Sequence, residues 1–155
     1  MALVKGAILG LLLDAYQRRD RVALVTFRAE GASVALPACA SVDRAADLLS
    51  ALPTGGGTPL AAGLQRTAEL LLAERRRDPE RRSLALVVTD GRASGGAAGR
   101  SDALRAARQL AAAADQVVVF DAEDGRVRLG LARTVAEAAG AELLPLSQLD
   151  DRRAA

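Results

Sequence analysis

The sequence predicts an α/β fold, a mostly parallel sheet flanked by helices, on three observations. Three short segments are apolar on both faces, Arg21–Phe27 (RVALVTF), Leu84–Thr89 (LALVVT) and Val117–Phe120 (VVVF), as expected of buried parallel strands. Segments with apolar residues at helical spacing alternate with them. The chain has 155 residues, half of them hydrophobic and 26% charged, which suits one packed domain. Only 2% is aromatic, so alanine and aliphatic side chains must fill the core.

Taken in order, Ala2 to Arg19 reads as a helix with a broad apolar face: Leu3, Ala7, Leu11 and Ala15 form one stripe beside Val4, Ile8, Leu12 and Tyr16. The strand Arg21–Phe27 follows. A short Gly-bearing link, Arg28 to Ala32, then leads to Ser33–Leu36, which predicts a hairpin with an antiparallel edge strand. Val42 to Leu52 reads as a short helix capped by Ser41, with Ala45, Leu48, Leu49 and Leu52 inward. Pro53-Thr54-Gly55-Gly56-Gly57 is a loop, and Thr58-Pro59 opens a helix to about Arg75, the proline at the first helical position. The strand Leu84–Thr89 ends at Asp90-Gly91. A Gly/Ser/Ala stretch from Arg92 to Arg100 leads to a helix over Ser101–Ala114 and then to the strand Val117–Phe120. A small extended piece near Val127, a helix from about Leu129 to Ala139 stopped by Gly140, and a strand over Glu142–Leu146 complete a domain at 1–147, with 148–155 as a C-terminal tail.

Absences and charge remove whole functional classes. The chain has no histidine, which excludes a Ser-His-Asp triad and any histidine-ligated zinc within it. Cys39 is alone, so no intrachain disulfide forms, and a small, partly buried thiol in a reducing compartment is the expectation. Net charge is only +2. The densest basic stretch, Arg75-Arg76-Arg77 to Arg81-Arg82, is interleaved with Glu74, Asp78 and Glu80 and reads as a solvated helix end. The apolar run Gly6–Leu13 imitates a signal peptide, but no small-x-small cleavage site follows and the run is short of the ~20 residues of a membrane span. It reads as a buried helix, and the protein as cytoplasmic.

In open α/β sheets, ligands gather beyond the carboxyl ends of the strands. Three features should meet there: the loop Thr54–Pro59, Thr89-Asp90-Gly91, and Asp121. The triglycine lacks the Gly-Lys-Ser/Thr of a P-loop and does not follow a strand, which argues for a sharp turn over nucleotide binding. Thr58 has a plain role available as a helix cap, and Asp90 one in its turn. A hydroxyl with one carboxylate also suits Mg²⁺ or Mn²⁺, which keep several waters, although two such groups alone hold either weakly.

Four segments carry a family resemblance: MALVKGAILGLLLDAYQRRDRVALVTFR, LPTGGGTPLAAGL, LALVVTDGRAS and GRVRLGLARTVAEAAGAELLPL. In order and over nearly the whole chain, they resemble the C-terminal von Willebrand factor A-type (integrin-I-like) domain of the magnesium chelatase D subunit. The resemblance implies a Rossmann-like sheet with a metal-ion-dependent adhesion site at its crest, in which Thr58 matches the family's threonine and Asp90 its later aspartate. The family's Asp-x-Ser-x-Ser element should lie just upstream of Met1; Asp43, Asp102 and Asp115 lack the serines to replace it. Met1 is accordingly read as an internal methionine of a longer protein, and any Mg²⁺ affinity as weakened.

The family's first strand would lie centrally, between Arg21–Phe27 and Leu84–Thr89. Without it the two strands must leave their backbone groups unpaired or pair with each other, at ~0.5–1.5 kcal/mol per lost hydrogen bond. The resemblance further implies a docking module whose partners are an AAA+ I subunit and a catalytic subunit of a magnesium chelatase, or of a related cobalt chelatase, with a partner carboxylate completing the metal's shell. Two other readings stand beside it: a small Mg²⁺-dependent hydrolase or phosphoryl-transfer enzyme using Asp90 and Asp121, and a metal-free structural remnant.

Overall fold

The computed structural model describes residues 2–29, 31–51, 57–123, 130–146 and 148. The elements run α1 (Ala2–Gln17), β1 (Val22–Arg28), β2 (Gly31–Cys39), α2 (Val42–Ala51), α3 (Leu60–Arg77), β3 (Leu84–Thr89), α4 (Gly96–Ala113), β4 (Gln116–Asp121), α5 (Leu131–Ala138) and β5 (Glu142–Pro145). The order and kind of these elements follow the sequence pattern, and the chain is an α/β fold as expected. The expected helix end at Leu52, most of the triglycine loop and the extended piece near Val127 lie outside the described residues.

The strands form two ladders. β3, β4 and β5 make a parallel sheet in that order, with Leu84 opposite Gln116 and Val118 opposite Glu142. β1 pairs antiparallel with β2, Arg28 opposite Gly31, as the hairpin prediction required. The turn itself uses Ala29 at φ 56°, and the glycine begins the return strand. The expectation that β1 lies buried in the parallel sheet is corrected. Among the described residues its one ladder is with β2, and no residue of β1 is fully buried.

No ladder joins β1 to β3 among the described residues. The two strands nonetheless run the same way. At their starts, Arg21 pairs with Glu74 at the end of α3 (3.0 Å), which leads into β3. At their ends, the Ala29 N–H donates to the Gly57 carbonyl (2.9 Å) and the Ser94 N–H to the Thr58 carbonyl (2.9 Å), joining the loops that follow β1 and β3.

Helices on both faces bridge the divide. Helices α3, α4 and α5 cover one face in a cluster that includes Leu60, Leu64, Val87, Leu110, Val119 and Val135, with Phe27 of β1 packed against it. On the other face α1 sends Ile8, Leu9 and Leu12 toward Leu36 of β2 and Ala45 of α2, and Leu11 toward Val118 and Phe120 of β4. β3 is covered on one face more than the other: Ala85, Val87 and Thr89 are buried, whereas Leu84 and Leu86 are 53% and 38% exposed, against the expectation of a strand covered on both faces.

Two helix starts also differ. Pro59 occupies the N-cap position, one residue earlier than predicted, and no side chain caps α3. α4 begins at Gly96, five residues before the predicted Ser101. Its glycines do not break it: the Ser94 carbonyl oxygen lies where a Cβ on Gly99 would stand, so Gly99 admits the preceding loop against the helix. α5 ends as predicted at Gly140, whose N–H donates to the Glu137 carbonyl while the Ala141 N–H reaches Ala136.

Candidate metal centre

The carboxyl ends of β3 and β4 present Thr89 and Asp121 side by side in the ladder, and the Ala122 N–H donates to the Thr89 carbonyl (3.0 Å). Thr89 is buried, and its Oγ1 accepts the Gly91 N–H (3.0 Å), which turns the chain sharply after the strand. Gly91 adopts φ +75°, and a Cβ there would stand 2.2 Å from the backbone of Leu131 and Ala132. Only glycine fits, so the Thr-Asp-Gly turn is seated directly on the start of α5.

That turn presents Asp90 at the rim, about one-third exposed. Its Oδ1 accepts the Arg92 N–H (3.0 Å), and its Oδ2 lies 3.5 Å from the Arg92 Nε. Among the described residues the second oxygen is therefore held only by an exposed guanidinium, a weak competitor for a cation. Asp121 is engaged with its own loop: its Oδ1 accepts the Glu123 N–H (2.9 Å), while Glu123 Oε2 accepts the Gly130 N–H (3.1 Å).

Thr58 is tied to the loop that follows Asp90. Its N–H donates to Ser94 Oγ (2.7 Å), and its carbonyl accepts the N–H groups of Ser94 (2.9 Å) and Leu60 (2.8 Å). Ser94 stands four residues after Asp90, so the threonine loop is fastened to the aspartate loop. The capping role open to Thr58 in the sequence is not used, and its hydroxyl has no hydrogen-bond partner among the described residues.

The Thr58 hydroxyl and the Asp90 carboxylate are both hard oxygen donors and fit a hydrated Mg²⁺ in kind, as two of its roughly six ligands. No group of three or more acidic, cysteine or histidine residues able to hold a metal exists among the described residues. Asp43 lies in the first turn of α2, Asp102 pairs with Arg105 in α4, and Asp115 is bonded to Ser83 where β3 and β4 begin, so none supplements the rim. Sequence reasoning singled out Thr58 and Asp90 as candidates and did not single out their hydrogen-bonded neighbours Ser94 and Arg92, neither of which has a motif to announce it.

Residues 2–93 match the model of the von Willebrand factor type A domain. The chain is 46% identical over 149 residues to the uncharacterized protein Rv2850c of Mycobacterium tuberculosis, covering 96% of this chain and 24% of that protein. It is 45% identical over 92 residues to the magnesium-chelatase 67 kDa subunit of Chlorobaculum parvum, covering 59% of this chain and 15% of the subunit. The chain thus spans a quarter or less of these relatives. The crystal structure of the conserved hypothetical protein BatB from Bacteroides thetaiotaomicron shares the fold, with a TM-score of 0.68 at 19% identity over 98% of this chain and 88% of that one. No helix among the described residues is long and apolar enough to cross a membrane.

Proposed function

This chain belongs to the von Willebrand factor type A domain family, and from that premise we propose that it is a protein-docking module acting through a hydrated Mg²⁺ at its crest, not a catalyst in its own right. Thr58 Oγ1 and the Asp90 carboxylate are the groups that would hold the ion. Bound there, Mg²⁺ would supply a Lewis-acidic point for an incoming carboxylate. The task of this chain is to hold the two donors on one rim and to leave the remaining positions to water and a partner.

The observation that carries this reading is the Thr58 hydroxyl, released from any capping duty beside the loop that bears Asp90. Two oxygens are too few for a tight resident ion, which suits an ion completed by a partner's acidic side chain. The similarity to a magnesium-chelatase subunit supports a chelatase setting; within it, the proposed partners are an AAA+ I subunit and a separate catalytic subunit that inserts Mg²⁺, or cobalt in a related system, into a tetrapyrrole.

The test is binding of this chain to a purified AAA+ I subunit of a magnesium chelatase, in Mg²⁺ and in EDTA. Mg²⁺-dependent binding weakened about tenfold or more by Asp90→Ala is expected, a change of about 1.4 kcal/mol. Equal binding in EDTA and by the Asp90→Ala variant would refute the reading.

A further inference from the structure

We infer that Ser94 is the positioning residue of this rim: its clasp with Thr58 sets how well the threonine and aspartate loops hold a divalent cation. This rests on the reading of Thr58 and Asp90 as the ion's ligands. The two loops are 36 residues apart in sequence and are joined by a reciprocal pair of bonds, Thr58 N–H to Ser94 Oγ (2.7 Å) and Ser94 N–H to the Thr58 carbonyl (2.9 Å).

The clasp sits where α3 and α4 both begin, so it fixes the threonine before the helix and the end of the aspartate turn together. Among the described residues, the further bond from the Ala29 N–H to the Gly57 carbonyl ties this loop to the hairpin, not to the Asp90 side. Ser94 Oγ is therefore the one side-chain atom among the described residues that binds the Thr58 backbone toward Asp90. Removing it leaves both ligands and the Ser94 N–H bond to the Thr58 carbonyl in place, and loosens one loop against the other. Outer-shell partners of this kind typically alter metal affinity by about 10–100-fold, and with two protein ligands the lower end applies.

The experiment titrates the whole chain with Mg²⁺ alone, following the amide NMR shifts of Thr58 and Asp90, with the Thr58 amide exchange rate and the urea midpoint measured in parallel. Asp90→Ala should abolish the response. Ser94→Ala should weaken Mg²⁺ binding about tenfold and speed exchange of the Thr58 amide at an unchanged urea midpoint, while Ser94→Thr, which keeps the hydroxyl, restores both. If Ser94→Ala binds Mg²⁺ as wild type does while Asp90→Ala does not, the positioning role is wrong and the metal reading stands. A lowered urea midpoint with no rescue by Ser94→Thr would make Ser94 merely structural. Absence of any Asp90-dependent Mg²⁺ response in the wild type would overturn the metal reading itself.

Discussion

The half of the molecule built on β1, β2, α1 and α2 and the half built on β3 to β5 start from similar strand sequences and reach different degrees of burial. β1 (VALVTFR) has no fully buried residue, whereas Val117 to Phe120 of β4 are all buried. Composition does not separate them; covered flanks do. β4 has a strand on each side and helices on both faces, β3 has one neighbouring strand and buries alternate residues, and β1 is paired along one edge by an antiparallel hairpin. An apolar run specifies a strand that can be buried, and its neighbours decide whether it is.

The sharpest way to break this comparison is to remove equal side chains from the two halves. Leu110, fully buried in the larger cluster, should cost about 3–5 kcal/mol as Leu110→Ala, because dense surroundings cannot collapse into the space. Leu36 is also buried, but Leu12 and Ala45 are its only buried companions in its cluster among the described residues. Leu36→Ala should therefore cost about 2–3 kcal/mol by urea unfolding. Equal losses would show that the two halves are packed alike.

A smaller effect sharpens the account of β3. Leu86→Ser should change stability by no more than about 0.5 kcal/mol, since the side chain is already 38% exposed, and a larger loss would mean that this strand is covered after all.

The smallest effect lies at the opposite end of the sheet. There Asp115 accepts the Ser83 N–H (2.7 Å) and hydroxyl (2.9 Å), which, with Arg75 nearby, hold its carboxyl below the ordinary range. The group is depressed in the folded state, so its contribution is complete above the unfolded value near 3.8 and is lost as pH falls through the folded one. Asp115→Asn should flatten the acid side of a stability–pH curve, and an unchanged slope would count against this link between β3 and β4.

Much of this was legible in the residues. The bounds of β3 follow from LALVVT followed by Asp-Gly, and α5 stops where Gly140 predicts. Thr58 and Asp90 stood out as hard donors next to helix and strand ends. Other features depend on contacts that no local pattern encodes. The glycines of α4 look like a loop because their purpose, the approach of the Ser94 carbonyl to Gly99, appears only in three dimensions. Pro59 reads as a first helical residue, yet the bond from the Leu60 N–H to the Thr58 carbonyl tightens the entry and moves the helix start by one. Ser94 is one small polar residue in a small-residue stretch, and its importance lies in a partner 36 positions away.

The break between the two ladders has a practical consequence for handling the protein. Each ladder offers a strand whose outer donors and acceptors have no in-register neighbour among the described residues, and on β3 that strand carries uncovered leucines. Such ribbons template sheet growth from molecule to molecule. Protein concentration becomes an experimental variable: light scattering of a dilution series should show reversible self-association that Leu84→Lys suppresses, and affinities should be measured below its onset.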